Sequence, residues 1–181
     1  MNKGKILISN FTLLNDEQFN KSIILIVKDD SKATLGFIIN KKTRYLLSDL
    51  NERCKGIDIP IYEGGPVGMD TIHFIHKKNN LIKKSKKITN DLYWGTDFKS
   101  VTQLLKKNKI NKKDVKFFLG YSGWGQNQLH NELNENSWLI SSNFLSKDIL
   151  NTSRSFWKKM INNFGEYYKI WSNSPDNPSL N

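Results

Sequence analysis

The run Phe117-Phe118-Leu119-Gly120-Tyr121-Ser122-Gly123-Trp124-Gly125 constrains this chain more than any other stretch. Apolar residues that read as a buried strand break into three glycines around a tryptophan, and Leu129 and Leu133 then resume at helical spacing. A strand, a tight loop and a helix start therefore fall together. Glycines beside a large aromatic require a backbone that bends sharply or approaches a neighbour closely. A helix that begins there offers unpaired N–H groups to an acceptor. The run departs from the nucleophile elbow G-x-S-x-G, because residue 124 is tryptophan rather than the second glycine, and Ser122 is not assigned as a nucleophile.

Strand patterning dominates the first half. Lys5 to Ser9 reads as a strand, and Ser22 to Lys28 as one buried on both faces, since its apolar run is continuous and β-branched. The polar turn Asp29-Asp30-Ser31-Lys32 leads into Thr34 to Asn40, so these two strands form a hairpin. Leu46 to Cys54 reads as a short helix, Pro60 to Glu63 as a strand halted by Gly64-Gly65-Pro66, and Thr71 to His76 as another strand. Lys77 to Lys87 reads as a surface loop. Thr96 and Asp97 can cap a helix carrying Phe98, Val101, Leu104 and Leu105. Val115 to Gly120 is the central strand, Trp138 to Ile140 another, and Phe156 to Phe164 an amphipathic helix. The tail from Ser172 to Asn181, with Pro175 and Pro178, reads as irregular. Hairpins mixed with crossovers give an α+β class with a mixed sheet and peripheral helices. At 181 residues the chain is expected to form a single domain, residues 1–181.

Lys+Arg number 28 against Asp+Glu 17, a formal charge of +11, which ordinarily points to nucleic acid, anionic membrane or acidic partners. Only Arg44, Arg53 and Arg154 are arginines and Ala33 is the lone alanine, while Lys, Asn and Ile are abundant. Lys, Asn and Ile use AT-rich codons, so nucleotide composition alone raises the charge. Cys54 is the only cysteine, which excludes an intramolecular disulfide and a cysteine metal cluster and points to a reducing compartment. No apolar stretch approaches the length of a membrane span, and the short N-terminal apolar patch lacks a cleavage site. A cytoplasmic location is the expectation.

Taken in order, Gly4-Lys5-Ile6-Leu7-Ile8-Ser9, Phe19 to Leu25, Gly36 to Lys41, Gly64-Gly65-Pro66-Val67, Leu92-Tyr93-Trp94-Gly95, Gly120 to Trp124, Gln128-Leu129, Glu132-Leu133, Trp138 and Pro178-Ser179-Leu180-Asn181 form a specific series. It resembles the YqgE/AlgH family of largely uncharacterised bacterial proteins, in particular its Bacteroidota branch. The resemblance implies a cytoplasmic α+β domain whose largely antiparallel, bifurcated sheet folds as a pseudo-barrel with helices outside. It implies no established enzyme activity. One branch is associated with transcriptional control of exopolysaccharide production, which makes a transcription-related regulatory role an expectation. Two positions depart from the family: Gln126-Asn127 replaces its usual Pro-Gly, and His130 an acidic residue. Asn127 tolerates the left-handed backbone that such a turn needs.

The candidate ligand-binding residues are Asn40, Gly64, Gly65, His76, Gly123, Trp124 and Gln128. Asn40 and Gln128 would supply polar groups, the glycines backbone donors arranged as an anion nest, and Trp124 a wall. His73 and His76, three apart on a strand, face opposite ways and make a poor ligand pair, so no metal and no cofactor are expected. The leading reading is a non-enzymatic binding or regulatory module for a small anionic ligand or a protein partner. The first alternative is an enzyme acting on a phosphorylated or nucleotide-like metabolite, with His76 or Glu63 as its titratable group. The second is nonspecific nucleic-acid binding through the lysines of 77–87 and 106–116. Missing arginines and interleaved aromatics argue against base-specific readout.

Overall fold

A computed structural model describes residues 1–50, 52–153 and 155–173. It is an α+β fold in which a largely antiparallel sheet curls into a half-barrel with helices outside. The first strands are β1 (Ile6–Ser9), β2 (Ile23–Asp29) and β3 (Thr34–Ile38), followed by β4 (Lys42–Leu46) and β5 (Pro60–Glu63). Then come β6 (Val67–His76), β7 (Ser85–Lys87), β8 (Tyr93–Gly95), β9 (Val115–Trp124) and β10 (Trp138–Ser141). The main path runs β10-β1-β2-β3-β9-β6-β8-β7, and the β4–β5 pair joins it through β9.

The β2 run is continuous because both of its faces are covered. Ile23, Leu25 and Val27 enter the largest core cluster, while Ile24 and Ile26 enter a second one with Leu7, Ile38, Trp124 and Trp138. The expected hairpin is present, with Leu25 opposite Phe37 and Asp29 opposite Thr34. Among the described residues, α1 (Leu47–Leu50), α2 (Phe98–Lys106), α3 (Gln128–Asn134), α4 (Ser146–Leu150), α5 (Phe156–Ile161) and α6 (Glu166–Trp171) are the α-helices. Asp97 caps α2, its carboxylate accepting from the Ser100 N–H at 3.0 Å. Cys54 is a buried apolar filler in a third cluster with Phe74, Phe117 and Ile61.

Several expectations need correction. The chain from Gly120 to Trp124 is not a loop but the second half of β9, and the turn comes only at Gly125–Asn127 before α3. Alternating burial of Gly120, Ser122 and Trp124 against Tyr121 and Gly123 is a strand period that the glycines conceal. Residues 85–87 of the expected loop form β7, held to β8 at the sheet margin. The stretch from Leu46 divides into α1 and a 3₁₀ turn at Glu52–Cys54, and the one from Phe156 into α5 and a 3₁₀ turn at Asn162–Phe164. The irregular tail expected over 172–181 lies, from residue 174 on, outside the described residues.

The sheet branches at Gly120. Below it, one edge of β9 pairs in parallel with β5, Ile61 opposite Phe117 and Glu63 opposite Leu119. Above it, the same edge pairs with β3, Gly36 opposite Ser122 and Thr34 opposite Trp124. The other edge pairs with β6 along both halves. Gly120 has φ +65°, which re-aims the strand between its two partners. Gly64 bridges the fork: its N–H donates to the Leu119 carbonyl at 2.7 Å and its carbonyl accepts from Ile38 N–H at 3.0 Å. A Cβ on Gly64 would collide with the Gly120 carbonyl, and one on Gly65 with the Ser122 backbone. Gly64→Ala is expected to cost at least about 3 kcal/mol in urea unfolding, because backbone rather than a flexible side chain must move. Gly125→Ala, whose Cβ would meet only the Gln128 side-chain oxygen at an ordinary contact distance of 3.9 Å, should stay within about 0.5 kcal/mol of wild type.

Candidate functional site

The residues singled out from sequence separate into three places. Gly64 and Gly65 lie in the fork, and Asn40 follows two residues after Ile38, whose N–H donates to the Gly64 carbonyl. The Asn40 side chain accepts from Ile23 N–H and donates to the Lys21 carbonyl, both at 2.8 Å, so it ties the end of β3 to the start of β2. The Ser122 hydroxyl, fully buried, donates to the Gly64 carbonyl at 3.1 Å. The glycine seam is thus filled by backbone, and the N–H of Gly64 is already spent on a carbonyl.

Gly123, Trp124 and Gln128 gather at the far end of β9. The Trp124 and Trp138 indole N–H groups both donate to one oxygen of Glu132, at 2.8 and 2.7 Å, and the rings meet edge to face. The Gln128 amide donates to the other Glu132 oxygen at 2.9 Å and accepts from Gly125 N–H at 3.0 Å. Glu132, one helical turn from Gln128, is the hub of this group. Asn127 has φ +62°, the left-handed backbone expected where the family has Pro-Gly.

A different cavity collects the chemistry. A pocket of about 350 Å³ opens between Lys42 of β4, Pro60 and Tyr62 of β5, the 3₁₀ turn Lys112–Asp114, the start of β9, and Leu150 at the end of α4 with Asn151 and Thr152 after it. Four lysines line it, Lys42, Lys112, Lys113 and Lys116, against one aspartate, Asp58. Asp58 accepts from the Ser48 hydroxyl at 2.9 Å. Lys116 is 1% exposed. Its ammonium donates to the Ile149 carbonyl at 2.9 Å and to the Thr152 hydroxyl, and lies 3.8 Å from the centre of the Tyr62 ring. Thr152 passes its own proton to the Ile39 carbonyl at 2.6 Å. Among the described residues no carboxylate stands within ion-pair distance of Lys116. Burial, and then the nearby Lys42 charge, push its pKa well below the ordinary lysine value. Reading the sequence placed Lys116 in a run of solvated lysines. The missed signal is its position inside Val115-Lys116-Phe117-Phe118-Leu119, a strand otherwise apolar.

Lysines also surround a broader adjoining concavity of about 1050 Å³, where Lys55, Lys78, Lys106 and Lys109 join Lys112 and Lys113. Its one carboxylate, Asp114, pairs with Lys78 at 3.4 Å.

His76 lies at the opposite end of β9 from Trp124, paired with Val115, roughly 30 Å along the strand. Its Nδ1 accepts from Lys78 N–H at 3.1 Å, which fixes the proton on Nε2, and Nε2 donates to the Ser85 hydroxyl at 2.7 Å. Ser85 hands its proton to the Ile82 carbonyl at 2.9 Å. The ring is fully buried, and burial lowers its pKa from 6.5 to about 4. A histidine held neutral contributes fully above pH 6.5 and loses that contribution as pH falls toward 4, because the unfolded chain takes up the proton first. Between pH 7 and 4, wild type should therefore lose about 3 kcal/mol more stability than His76→Gln, measured by urea unfolding at the two pH values.

The comparisons with known proteins concern the whole of this architecture. The profile of the AlgH-like family matches residues 6–169. A UPF0301 protein of Cytophaga hutchinsonii is 34% identical over 182 residues, covering all of both chains, and one of Bacteroides fragilis is 37% identical over 99% of this chain and 91% of its own. The solution structure of the AlgH protein from Pseudomonas aeruginosa superposes with a TM-score of 0.73 at 21% identity, covering 96% of this chain and 94% of that one. A crystal structure from Corynebacterium diphtheriae gives 0.75 at 17% identity, covering 96% and 93%. Both structures share the fold. Among the described residues no helix is long and apolar enough to cross a membrane. With its family profile matched across nearly the full length and relatives above 30% identity from end to end, the chain belongs to the AlgH-like, UPF0301 family.

Proposed function

We propose that this protein is a non-enzymatic binding module for a small anionic ligand, with phosphate chemistry preferred, seated in the lysine pocket beside Lys116. One observation carries the reading: a buried lysine amine with no carboxylate in ion-pair reach among the described residues lines a cavity together with three more lysines. Taking an ammonium out of water costs several kcal/mol unless a countercharge compensates it. Among the described residues the chain supplies none at this position, and a bound anion would. The lining lacks the paired acid and base that proton-transfer chemistry uses, since Asp58 is its lone carboxylate. Occupancy of such a pocket, in a cytoplasmic protein, is the regulatory signal of this reading.

An amide chemical-shift titration at physiological salt, with inorganic phosphate and then AMP and ATP, tests it. Shifts should centre on Tyr62, Val115, Lys116, Asn151 and Thr152, and Lys112→Met should weaken phosphate binding roughly tenfold, about 1.5 kcal/mol for one charge-assisted contact. Shifts centred instead on Gly64, Gly65, His76 and 120–128 would move the site to the glycine seam. No shifts at either place would sink both.

A second reading, nonspecific nucleic-acid binding, draws support from the lysines converging around the broader concavity. Six phosphate contacts there would make affinity for a single-stranded oligonucleotide drop about three-hundredfold between 50 and 200 mM salt. An affinity insensitive to salt contradicts it.

A further inference from the structure

We infer that the lysine pocket binds its anion together with a proton taken up from solvent by Lys116, so that the site holds anions more tightly as pH falls. This rests on the anion-binding reading above and adds to it a linkage between pH and occupancy.

The geometry around Nζ is built for the ammonium. A charged lysine has three N–H donors, and three acceptors surround it: the Ile149 carbonyl, the Thr152 hydroxyl oxygen and the face of Tyr62. Thr152 is committed to accepting, because its own proton goes to Ile39. A neutral amine would leave one of these acceptors without a donor. Among the described residues no carboxylate pairs with this ammonium position. From β4 comes Lys42, whose Nζ lies 5.9 Å from the Tyr62 ring centre, and from the turn before β9 come Lys112 and Lys113. From β5 comes Tyr62, whose hydroxyl burial keeps neutral by raising its pKa. The loop before β5 adds Asp58, bound to Ser48, and the end of α4 with the two residues after it adds Leu150, Asn151 and Thr152, none of which titrates. β6 places Ile75 opposite Lys116.

Hydrogen bonding therefore favours the charged form while burial and the neighbouring cations oppose it, and an anion between the rim lysines tips that balance. The event is Lys116–NH₂ plus a solvent proton plus the anion giving Lys116–NH₃⁺ beside the anion. No covalent bond between heavy atoms forms or breaks. By reciprocity, whatever factor the anion adds to proton affinity, the proton adds to anion affinity.

The test uses sulfate, which does not itself titrate between pH 6 and 10. The ¹³Cε resonance of Lys116 reports its ionisation in the full-length wild-type protein, with and without saturating sulfate. An upward shift of about one pH unit is expected, equivalent to roughly tenfold tighter sulfate binding by the charged form. Affinity should then fall about tenfold in all as pH rises from well below the free value to well above the bound one, roughly threefold of it between the two. Lys116→Met should show a sulfate affinity free of that step. Lys42→Met, which keeps Lys116 in place, should raise the Lys116 value in free protein and move the step to higher pH. If sulfate shifts the rim amides yet leaves the Lys116 ionisation unmoved, the proton coupling is overturned while anion binding stands. If sulfate binds nowhere in the pocket across the whole pH range, both fail together.

Discussion

The contact of Gly64-Gly65 with Gly120-Tyr121-Ser122 is the constraint on which the rest of this structure depends. A strand has two edges, and β9 must satisfy three partners. It does so by dividing one edge between β5 and β3, which requires the backbone to turn at Gly120 and a second backbone to enter the fork at van der Waals distance. Side chains cannot occupy such a crossing, so glycine on both sides is a steric requirement. The fork also keeps the buried polar groups satisfied: Gly64 closes the gap between Leu119 and Ile38, and Ser122 supplies a further donor to it. The lysine pocket follows from the same division, because β5 flanks only the lower half of β9 and the pocket opens beside its first residues.

Much of this was legible in the residues, and the failures have physical causes. β2 and the β2–β3 hairpin were readable because an uninterrupted β-branched run followed by a polar turn has few alternatives. Asn127 was readable because only a few residue types tolerate its backbone angle. The upper half of β9 was not, since Gly120 and Gly123, with the polar Ser122 on the buried face, remove the apolar signal on which a period of two depends. β4, Lys42 to Leu46, was missed for the complementary reason: it is a largely exposed pair partner of β5, and its sequence has no buried face to display. The glycine motifs announced a close approach correctly and left its object open. That object is another part of the same backbone.

The two centres of side-chain chemistry were hidden differently. Glu132 stands in a motif that was read as identity, yet its task is to accept from two indoles that lie 8 and 6 residues away and converge only through the fold. Lys116 sits in the charge-rich stretch where nucleotide composition explains most lysines, and bulk charge cannot tell a solvated lysine from a buried one. Local hydropathy can, for Lys116 interrupts a run whose neighbours are buried on both sides.

That distinction decides how the basic composition should be weighed. Exposed lysines on a surface of net positive charge contribute little individually, and their fields are screened within about 8 Å at physiological salt. A buried lysine is screened much less, and a well-packed apolar residue of similar volume would commonly serve stability as well or better. Lys116 therefore imposes a cost that its hydrogen bonds only partly offset, at a strand position whose sequence neighbours are otherwise apolar. Three acceptors arranged for an ammonium, other lysines that raise the local positive potential, and an opening to solvent at that one place are hard to reconcile with a purely architectural role. On the anion-binding proposal, the negative charge they lack arrives from outside the chain.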